Sequence, residues 1–590
     1  MNKTYKYTLT AHEKREISFD TGVARIALTN ANGYEYGEDL TQLKEDVDYL
    51  SENAEMIPED VYGLDFDFDT SKAIRLGGAS GKTAGADFDS VPIWNRRRCN
   101  VSDNGIVNAY YGDETYTEDG SNGQVMVEQQ PVYYKIVPMR LTKNTDSGVG
   151  YHGNRIRYFV SPYPREGFEL HPAFYNVPSP IYLSAYEGSY FDTALDRIYN
   201  DDTDTDTTTN AGDKLCSIGN NTKPISGLHK NLTKATLETI AQNRGSNWHL
   251  ETIQVNMLNI LLFAIEYASF NSQNEIGAGV TGITDNTSYN CASLTGSTSS
   301  LGNASGRATS TINEKGETQT TETDANKTSV SYRGVENIWG NIYKHINGIN
   351  IHGDGTQAGG QIFVNPTLSG FSEQTMASPY VAVAVTLPKD DGYIKYFGFD
   401  SNYPWLLFPS KTGSGADSAK PVGDYCYKTA NLNGYRIALS GGYWYPGAIA
   451  GASYWYGLSG AGARYRNFGG RLMCIPHSYF PLDGEVVKVF KATGHYGGTY
   501  TLDDVTCDEL CTYARDHSNI VIKATRASSA IAYDIFILSD YIGTSAVFRN
   551  TIITTAIGGG YVLEVRELQA DSGNSTNALT TRYVNINADS

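Results

Sequence analysis

The side chains best suited to bind a partner lie in one Gly-rich stretch, residues 435–475, which we call the display segment. Two nearly identical Tyr-Trp-Tyr clusters begin at Tyr443 and Tyr454, and an Arg-Tyr-Arg cluster begins at Arg464. Exposed Tyr, Trp and Arg on a scaffold of small residues match the composition of binding hot spots. We therefore predict one binding patch in this segment. Its residues are Tyr443, Trp444, Tyr445, Ser453, Tyr454, Trp455, Tyr456, Arg464, Tyr465 and Arg466.

The same aromatic residues could instead hold the loops of the segment onto the body of the protein. Consecutive residues of a strand point to opposite faces, so neighbouring rings cannot all be exposed. We expect alternate residues to fill the two roles. The outward rings would suit sugar faces as well as protein surfaces. The chain has 43 Tyr against 20 Phe, a ratio that fits either a recognition surface or half-exposed sheets.

Metal chemistry finds little support in the sequence. Asp202, Asp204 and Asp206 have the spacing that begins a calcium-binding loop. The pattern fails further on, because Thr207 stands where the sharp turn needs Gly and the twelfth residue is Asp213 rather than Glu. We interpret this acidic, Thr-rich stretch as a solvated loop and expect no bound metal.

Enzyme motifs are also missing from the sequence. It contains no GxSxG, no HExxH, no P-loop, and no GxGxxG placed between a strand and a helix. His345 and His352 have no further ligands near them, and the seven cysteines lack paired spacing. A carboxylate pair for glycoside hydrolysis stays open, because such partners meet only in the folded chain. We predict a protein that is not an enzyme and that has no cofactor.

Length and charge limit the remaining classes of protein to which the chain could belong. A chain of 590 residues predicts several folded units, and its 40% hydrophobic content is enough to fill their cores. The formal net charge of −19 argues against nucleic acid as a partner, because phosphate contacts need a basic surface. The first residues carry no apolar stretch typical of a signal peptide. With the thinly spread cysteines, this predicts folding in a reducing cytoplasm.

Strand-like alternation dominates the chain, and we predict a β-rich α+β fold. Helices are expected over residues 233–243 and 247–271, with a short one over 505–515. The expected units are an N-terminal attachment or oligomerisation segment over 1–57, a β-rich domain over 58–215, a binding domain over 216–482, and a small β-rich domain over 483–590.

The end of the display segment, YRNFGGRLMCIP, resembles the closing strand of C-type-lectin-fold domains in phage tropism determinants and in targets of diversity-generating retroelements. The stretch ALSGGYWYPGAIAGASYWYGLS resembles the variable region of those proteins. Further stretches, among them RYFVSPYPREGFELHPAF and SYRGVENIWGNIYKHINGINI, are similar to tail-fibre proteins of gut bacteriophages and prophages. The resemblance extends from Val61 to Phe480.

The resemblance implies a C-type-lectin-like domain with long loops, which presents the ten patch residues at the distal tip of a virion tail as a homotrimer. It implies a fixed frame around them, formed by Asn467, Gly469, Gly470, Arg471 and Leu472. It also implies a supporting core that includes Glu336, Asn337, Trp339 and Gly340.

Two features depart from related patterns. Residues 481–590 follow the lectin-like part, which ends the chain in the proteins it resembles. Formylglycine-generating enzymes share the fold, but they need a close pair of reactive cysteines, whereas Cys426 and Cys474 are far apart in this sequence.

The function that the resemblance implies is host adhesion by a bacteriophage. The chain would be a tail-fibre receptor-binding protein, made in the cytoplasm of the host bacterium and carried in the virion beside other tail proteins. Its receptor would be a glycan or a protein of the bacterial surface, and several copies would strengthen weak single contacts. The alternatives are a structural fibre or capsid decoration protein with an adhesin domain, and a glycan-degrading tail enzyme.

Overall fold

The computed structural model describes residues 57–175, 177–203, 212–284, 291–312, 319–413, 415–419, 422–428, 431–476, 488–494, 499–517, 520–526, 533–557 and 560–587, with the backbone of two N-terminal strands. These residues form a β-rich structure of several sheets with few helices and a closed barrel of seven strands near the C-terminus. The predicted β-rich class is therefore confirmed.

The two N-terminal strands, β1 (Lys3–Thr10) and β2 (Glu13–Phe19), pair antiparallel as a hairpin. The rest of the predicted N-terminal segment, up to residue 56, lies outside the described residues.

The residues from 57 to 476, which we call the body, contribute thirty strands. In chain order they are β3 (Tyr62–Asp67), β4 (Lys72–Gly77), β5 (Arg97–Val101), β6 (Val107–Tyr110), β7 (Gln124–Gln129), β8 (Tyr133–Lys143), β9 (Tyr151–Ser161), β10 (Glu169–Leu170), β11 (Ile181–Ser184), β12 (Ser189–Asp192), β13 (Arg197–Ile198), β14 (Lys214–Cys216), β15 (Trp248–Leu250), β16 (Gly306–Ala308), β17 (Ser310–Ile312), β18 (Thr320–Glu322), β19 (Ser329–Tyr332), β20 (Val335–Glu336), β21 (Tyr343–His345), β22 (Ile349–Asp354), β23 (Gln361–Val364), β24 (Val381–Thr386), β25 (Gly392–Phe399), β26 (Pro409–Thr412), β27 (Tyr425–Tyr427), β28 (Asn433–Arg436), β29 (Leu439–Ser440), β30 (Trp455–Tyr456), β31 (Phe468–Gly469) and β32 (Leu472–Cys474).

These strands form one large sheet and several smaller ones. The large sheet has twelve strands and follows the order β10-β8-β9-β25-β27-β30-β29-β21-β31, with β3 and β4 joined through β9 and β26 joined through β25. A second sheet has the order β15-β32-β11-β7-β5-β6, and a third has the order β24-β23-β22-β28. The three small sheets are β13-β12-β14, β16-β19-β20 and β17-β18.

The body has one main hydrophobic core, which contains residues from Leu64 through Ile475. Strands from both sides of the predicted boundary at 215/216 lie in the same sheets and contribute to this core. The structure therefore does not divide the chain at that point. The predicted boundary at 482/483 lies outside the described residues.

Three helices accompany the sheets of the body: α1 (Lys234–Gln242), α2 (Ile253–Tyr267) and α3 (Ser272–Glu275). Helix α1 confirms the prediction over 233–243, with Thr233 as its N-cap. Helix α2 is shorter than predicted, because Trp248–Leu250 pairs with β32 as a strand and Ala268 ends the helix in a left-handed conformation. Every residue of α2 except Tyr267 is buried, so the helix lies inside the core.

The C-terminal barrel is made of β33 (Lys488–Gly494), β34 (Tyr500–Leu502), β35 (Ile520–Arg526), β36 (Tyr533–Ile542), β37 (Ser545–Ile557), β38 (Gly560–Asp571) and β39 (Ala578–Asn587). The order is β33-β34-β39-β38-β37-β36-β35, and parallel pairing of β33 with β35 closes it. Helix α4 (Cys507–Asp516) begins at a capping box of Thr506 and Glu509, and buries Cys507 and Cys511 in the barrel's own core.

The predicted frame of the display segment is largely inside the body. Gly469, Gly470, Arg471 and Leu472 are buried, and Asn467 is half-buried. A side chain at position 470 would start 2.6 Å from the Cδ1 atom of Leu250, so the close approach of this backbone requires glycine. The predicted supporting core is also buried: it comprises Glu336, Asn337, Trp339 and Gly340.

Arg471 joins separate parts of the body through its buried guanidinium. Its Nη1 donates to the Glu336 carbonyl at 2.8 Å and its Nη2 donates to the Ser184 carbonyl at 2.9 Å. The carboxylate of Glu251 lies 3.9 Å from Nε. Three groups from separate segments thus face one buried guanidinium, and its removal leaves them short of a partner.

We expect Arg471→Ala to lower the free energy of unfolding of the body by about 3–5 kcal/mol, because it leaves a buried carboxylate and two carbonyls without their partner. Denaturant unfolding followed by tryptophan fluorescence measures this, since all six tryptophans lie in the body. The control is Lys72→Ala at an exposed position of β4, expected to change stability by less than about 0.5 kcal/mol. Equal losses in the two variants would contradict the assigned role of Arg471.

Candidate functional site

The display segment lies at the centre of the largest sheet. Its strands β29 and β30 pair antiparallel, and they lie between β27 on one side and β21 on the other. These strands are only two residues long, and loops and one short helical turn, Gly447–Ile449, make up most of the rest. A Gly-, Ala- and Ser-rich sequence favours such loops over long regular elements.

The pairing of β30 with β27 sorts the side chains of both strands onto two faces. Cys426 lies opposite Trp455, and Tyr427 lies opposite Tyr456. Cys426 and Trp455 are buried in the main core, whereas Tyr427 and Tyr456 are half-buried on the other face. The predicted alternation of structural and outward roles therefore holds within these two strands, but not before β30, where Ser453 and Tyr454 are buried beside Trp455.

Four of the ten predicted patch residues are buried, and this corrects the prediction that they face a partner. Trp444, Ser453, Tyr454 and Trp455 are each at most 1% exposed. The Trp455 ring packs on Phe408, with centroids 4.7 Å apart. As buried groups, these four residues support the surface and do not form it.

Trp444 is covered by a part of the chain that is distant in sequence. It packs in a small cluster with Val280, Ile283 and Ile312, and the Ile283 N–H donates to the Trp444 carbonyl at 2.7 Å. The sequence marks residues 283–330 only as a polar, Gly-rich excursion, with no sign that its start would close over a tryptophan. Burial of Trp444 is thus a tertiary effect.

Tyr454 supports the outward tyrosines from below. Its hydroxyl and that of Tyr343 are 2.6 Å apart, and both side chains are buried. The ring of Tyr343 lies 4.8 Å from that of Tyr443 and 5.3 Å from that of Tyr456, measured between centroids. This buried pair fixes the positions of the half-buried rings above it.

The remaining aromatics of the predicted patch are at least partly exposed. Tyr445 and Tyr465 are 53% and 55% exposed, and Tyr443 and Tyr456 are half-buried. Three further half-buried tyrosines lie in the neighbouring strands β25 and β27. We call this set the tyrosine surface, and its members are Tyr393, Tyr425, Tyr427, Tyr443, Tyr445, Tyr456 and Tyr465.

Sequence reasoning missed Tyr393, Tyr425 and Tyr427. The pattern Tyr425-Cys426-Tyr427 carries a usable signal, because strand alternation places both tyrosines on one face. The pairing of Tyr393 with Tyr425 depends on the register of β25 and β27, which the sequence does not reveal. In the structure the Tyr425 ring lies 5.4 Å from Tyr393 and 4.5 Å from Tyr427, measured between centroids.

The hydroxyls of this surface are largely free of internal partners. Among the described residues, only Tyr425 directs its hydroxyl to another side chain, Asp391, at 3.4 Å. Burial, then the Asp391 carboxylate, raises the pKa of Tyr425 to about 12, and burial also raises the pKa of Tyr443. These two hydroxyls therefore keep their protons at neutral pH and can donate as well as accept.

The two predicted arginines anchor the segment at one side. Arg464 donates from Nε to the Asn231 side chain at 3.0 Å, and Arg466 lies 2.5 Å from the Asp202 carboxylate. Asp202 is buried, so the start of the acidic stretch is not the bare solvated loop that we predicted. Its continuation over 204–211 lies outside the described residues.

Within the described ranges, no group of three or more His, Cys, Asp or Glu side chains could hold a metal ion. His345 is buried, and this burial lowers its pKa to about 3. Its ring packs on Phe468, with centroids 5.5 Å apart, which is a packing role. In the same described ranges no helix is long and apolar enough to cross a membrane.

Comparison with known proteins adds no relative. No protein-family model matches the chain, and no curated protein matches it.

A buried carboxyl group holds the loop before β30. The Asp424 Oδ2 atom accepts the Ser453 N–H at 2.7 Å, and the side chain has no ion-pair partner among the described residues. A side chain at position 451 would start 1.9 Å from Oδ1, so the carboxyl group fills the space under Gly451. Burial raises the pKa of Asp424 well above its usual value.

Because this pKa is raised in the folded chain, stability is full below the usual pKa of an aspartic acid and falls as pH rises toward the folded-state pKa. The asparagine side chain in Asp424→Asn cannot ionise. The melting temperature of this variant should therefore rise relative to that of the wild type as pH increases from about 4 to 8. The matched control is Asp417→Asn at an exposed position, which should follow the wild-type curve. Parallel curves for Asp424→Asn and the wild type would refute the assignment.

The correction to the patch has a direct test. Trp455→Ala should lower the free energy of unfolding by about 3–5 kcal/mol, because a large buried ring leaves a cavity. Tyr445→Ala should change it by less than about 0.5 kcal/mol, since the ring is half exposed. Tryptophan fluorescence during denaturant unfolding measures the Tyr445 variant, and circular dichroism measures both. If Trp455→Ala were as stable as the wild type, Trp455 would have to be assigned to the exposed residues of the patch.

Proposed function

We propose that this chain is a receptor-binding protein of a bacteriophage tail, which attaches the virion to the surface of a host bacterium. The observation that carries the proposal is the tyrosine surface, which comprises four tyrosines in strands of the largest sheet and three in loops of the display segment. Recognition surfaces are enriched in tyrosine, which offers a large rigid contact and a hydroxyl group at low cost in conformational entropy.

The support under this surface favours binding over a purely structural role. Tyr343, Tyr454 and Phe468 are buried directly beneath it and hold its rings. A surface fixed in this way loses little freedom when a partner binds.

A C-type-lectin-like fold of the body is part of this proposal. Two observations support it. Strand β32, which follows Arg471 near the end of the body, lies between β11 and β15 in the second sheet and pairs with both. The residues of the implied frame are buried around that strand. In the proposed virion a homotrimer presents three tyrosine surfaces, so that contacts weak on their own add up by avidity.

Adsorption to bacteria tests the proposal. The purified chain should bind a subset of strains in a panel of gut bacteria. The double variant Tyr445→Ser/Tyr465→Ser should lose binding by about tenfold or more, because exposed tyrosines of a binding surface act as hot spots. Binding is measured as the fraction of labelled protein retained on washed cells.

The matched control is Tyr151→Ser/Tyr163→Ser, which removes two rings of the same exposure, 48% and 54%, elsewhere on the body. This control should adsorb like the wild type. Equal adsorption of both double variants would exclude the tyrosine surface as the receptor site. A wild-type chain that binds no strain but assembles with tail proteins would instead support a structural fibre.

A further inference from the structure

The charge beside the tyrosine surface is negative. The exposed carboxylate of Asp391 lies 3.4 Å from the hydroxyl of Tyr425, and Asp390 is its neighbour in the chain. Of the lysines nearest in sequence, Lys389 is exposed, whereas Lys428 is buried and directs its amine to the Gln357 carbonyl. A negatively charged ligand would therefore meet two exposed carboxylates, Asp390 and Asp391, against one exposed lysine, Lys389.

The two arginines of the predicted patch, Arg464 and Arg466, have partners other than this carboxylate. Arg466 is paired with the buried carboxylate of Asp202, and the Nε atom of Arg464 is bound to Asn231. Anion recognition relies on the guanidinium fork, and in Arg466 that fork is already paired with a carboxylate. The chain as a whole adds repulsion, with a formal net charge of −19.

The shape and chemistry of the surface suit a chain of sugar rings. Four pairs of rings in this surface lie at centroid distances from 4.5 to 6.3 Å. Each ring offers a flat apolar face for sugar C–H groups and a polar edge for sugar hydroxyls. Both tryptophans of the segment are buried, so its outward contacts come mainly from tyrosine rings and hydroxyls.

We propose that the ligand of the tyrosine surface is an uncharged glycan, which lies across several tyrosine rings while the Asp391 carboxylate accepts hydrogen bonds from its hydroxyl groups. This inference rests on the proposed receptor-binding function and specifies the chemical class of the receptor. Anionic glycans and protein receptors are the alternatives that the experiment separates.

The experiment uses the full chain and one strain to which it adsorbs. Surface polysaccharide of that strain is separated by anion exchange into neutral and anionic fractions, and each fraction competes for adsorption. We expect the neutral fraction to compete, and added salt to leave adsorption nearly unchanged, because no ion pair is screened. Periodate treatment of the cells, which cleaves sugar diols, should abolish adsorption, and protease treatment should not.

Asp391→Asn gives the sharpest readout. The variant keeps the shape of the side chain but loses its charge, so a neutral glycan should bind about fivefold more weakly, since hydrogen bonds to charged groups are the stronger ones. An anionic ligand would bind the same variant more tightly. Asp417→Asn, an exposed carboxylate on another loop, is the control and should bind like the wild type.

Three results would overturn the inference: competition by the anionic fraction alone, tighter binding by Asp391→Asn, or loss of adsorption after protease but not after periodate. In each of these cases Tyr445→Ser/Tyr465→Ser would still reduce adsorption, and the receptor-binding proposal would stand. If that double variant adsorbs normally, the receptor-binding site itself is misplaced.

Discussion

The alternation of side chains along two short parallel strands governs the arrangement of the site. In the pairing of β27 with β30, one residue of each strand turns into the main core and its neighbours turn outward. The inward pair is Cys426 and Trp455, and the outward residues beside them are tyrosines. Because the core fixes the inward tryptophan, the positions of the outward rings are fixed as well. The tyrosine surface is therefore a consequence of how the core is packed.

The strands of the display segment are too short to fix its loops, and buried polar groups fix those loops instead. Arg471 joins carbonyls of two segments, and the Asp424 carboxyl group accepts an N–H from the loop before β30. Buried Lys344 pairs with Glu187 at 3.1 Å in the same part of the body. Burying such groups costs free energy unless each has a partner, so their geometry is strongly specified. A Gly-rich segment with little intrinsic structure thus acquires one defined conformation.

This construction divides buried from outward aromatics within fourteen residues, 443–456. Trp444 and Trp455 supply packing, and Tyr443, Tyr445 and Tyr456 supply contact area. Such a division lets the outward residues change without loss of the core beneath them, because surface substitutions away from special features cost little stability. It also means that the aromatic clusters, which look equivalent in sequence, contain residues of opposite roles.

Several features were accessible from the sequence alone. Strand alternation and the scarcity of helical patterns establish the β-rich class, and the helices near 234 and 253 follow from apolar spacing. The display segment stands out through its composition, and the rule that neighbouring strand residues face opposite ways predicts that only some of its aromatics are exposed. These are local properties, carried by residues close together in the chain.

Which aromatics are exposed was decided only by tertiary structure. Trp444 is buried because Val280, Ile283 and Ile312 pack against it, and Tyr393 joins the surface because β25 pairs with β27 in one particular register. Asp391 beside Tyr425, and the two arginines bound to a segment more than two hundred residues away, have the same origin. Contacts between distant segments depend on the packing of the whole core, and no local pattern in the sequence encodes them.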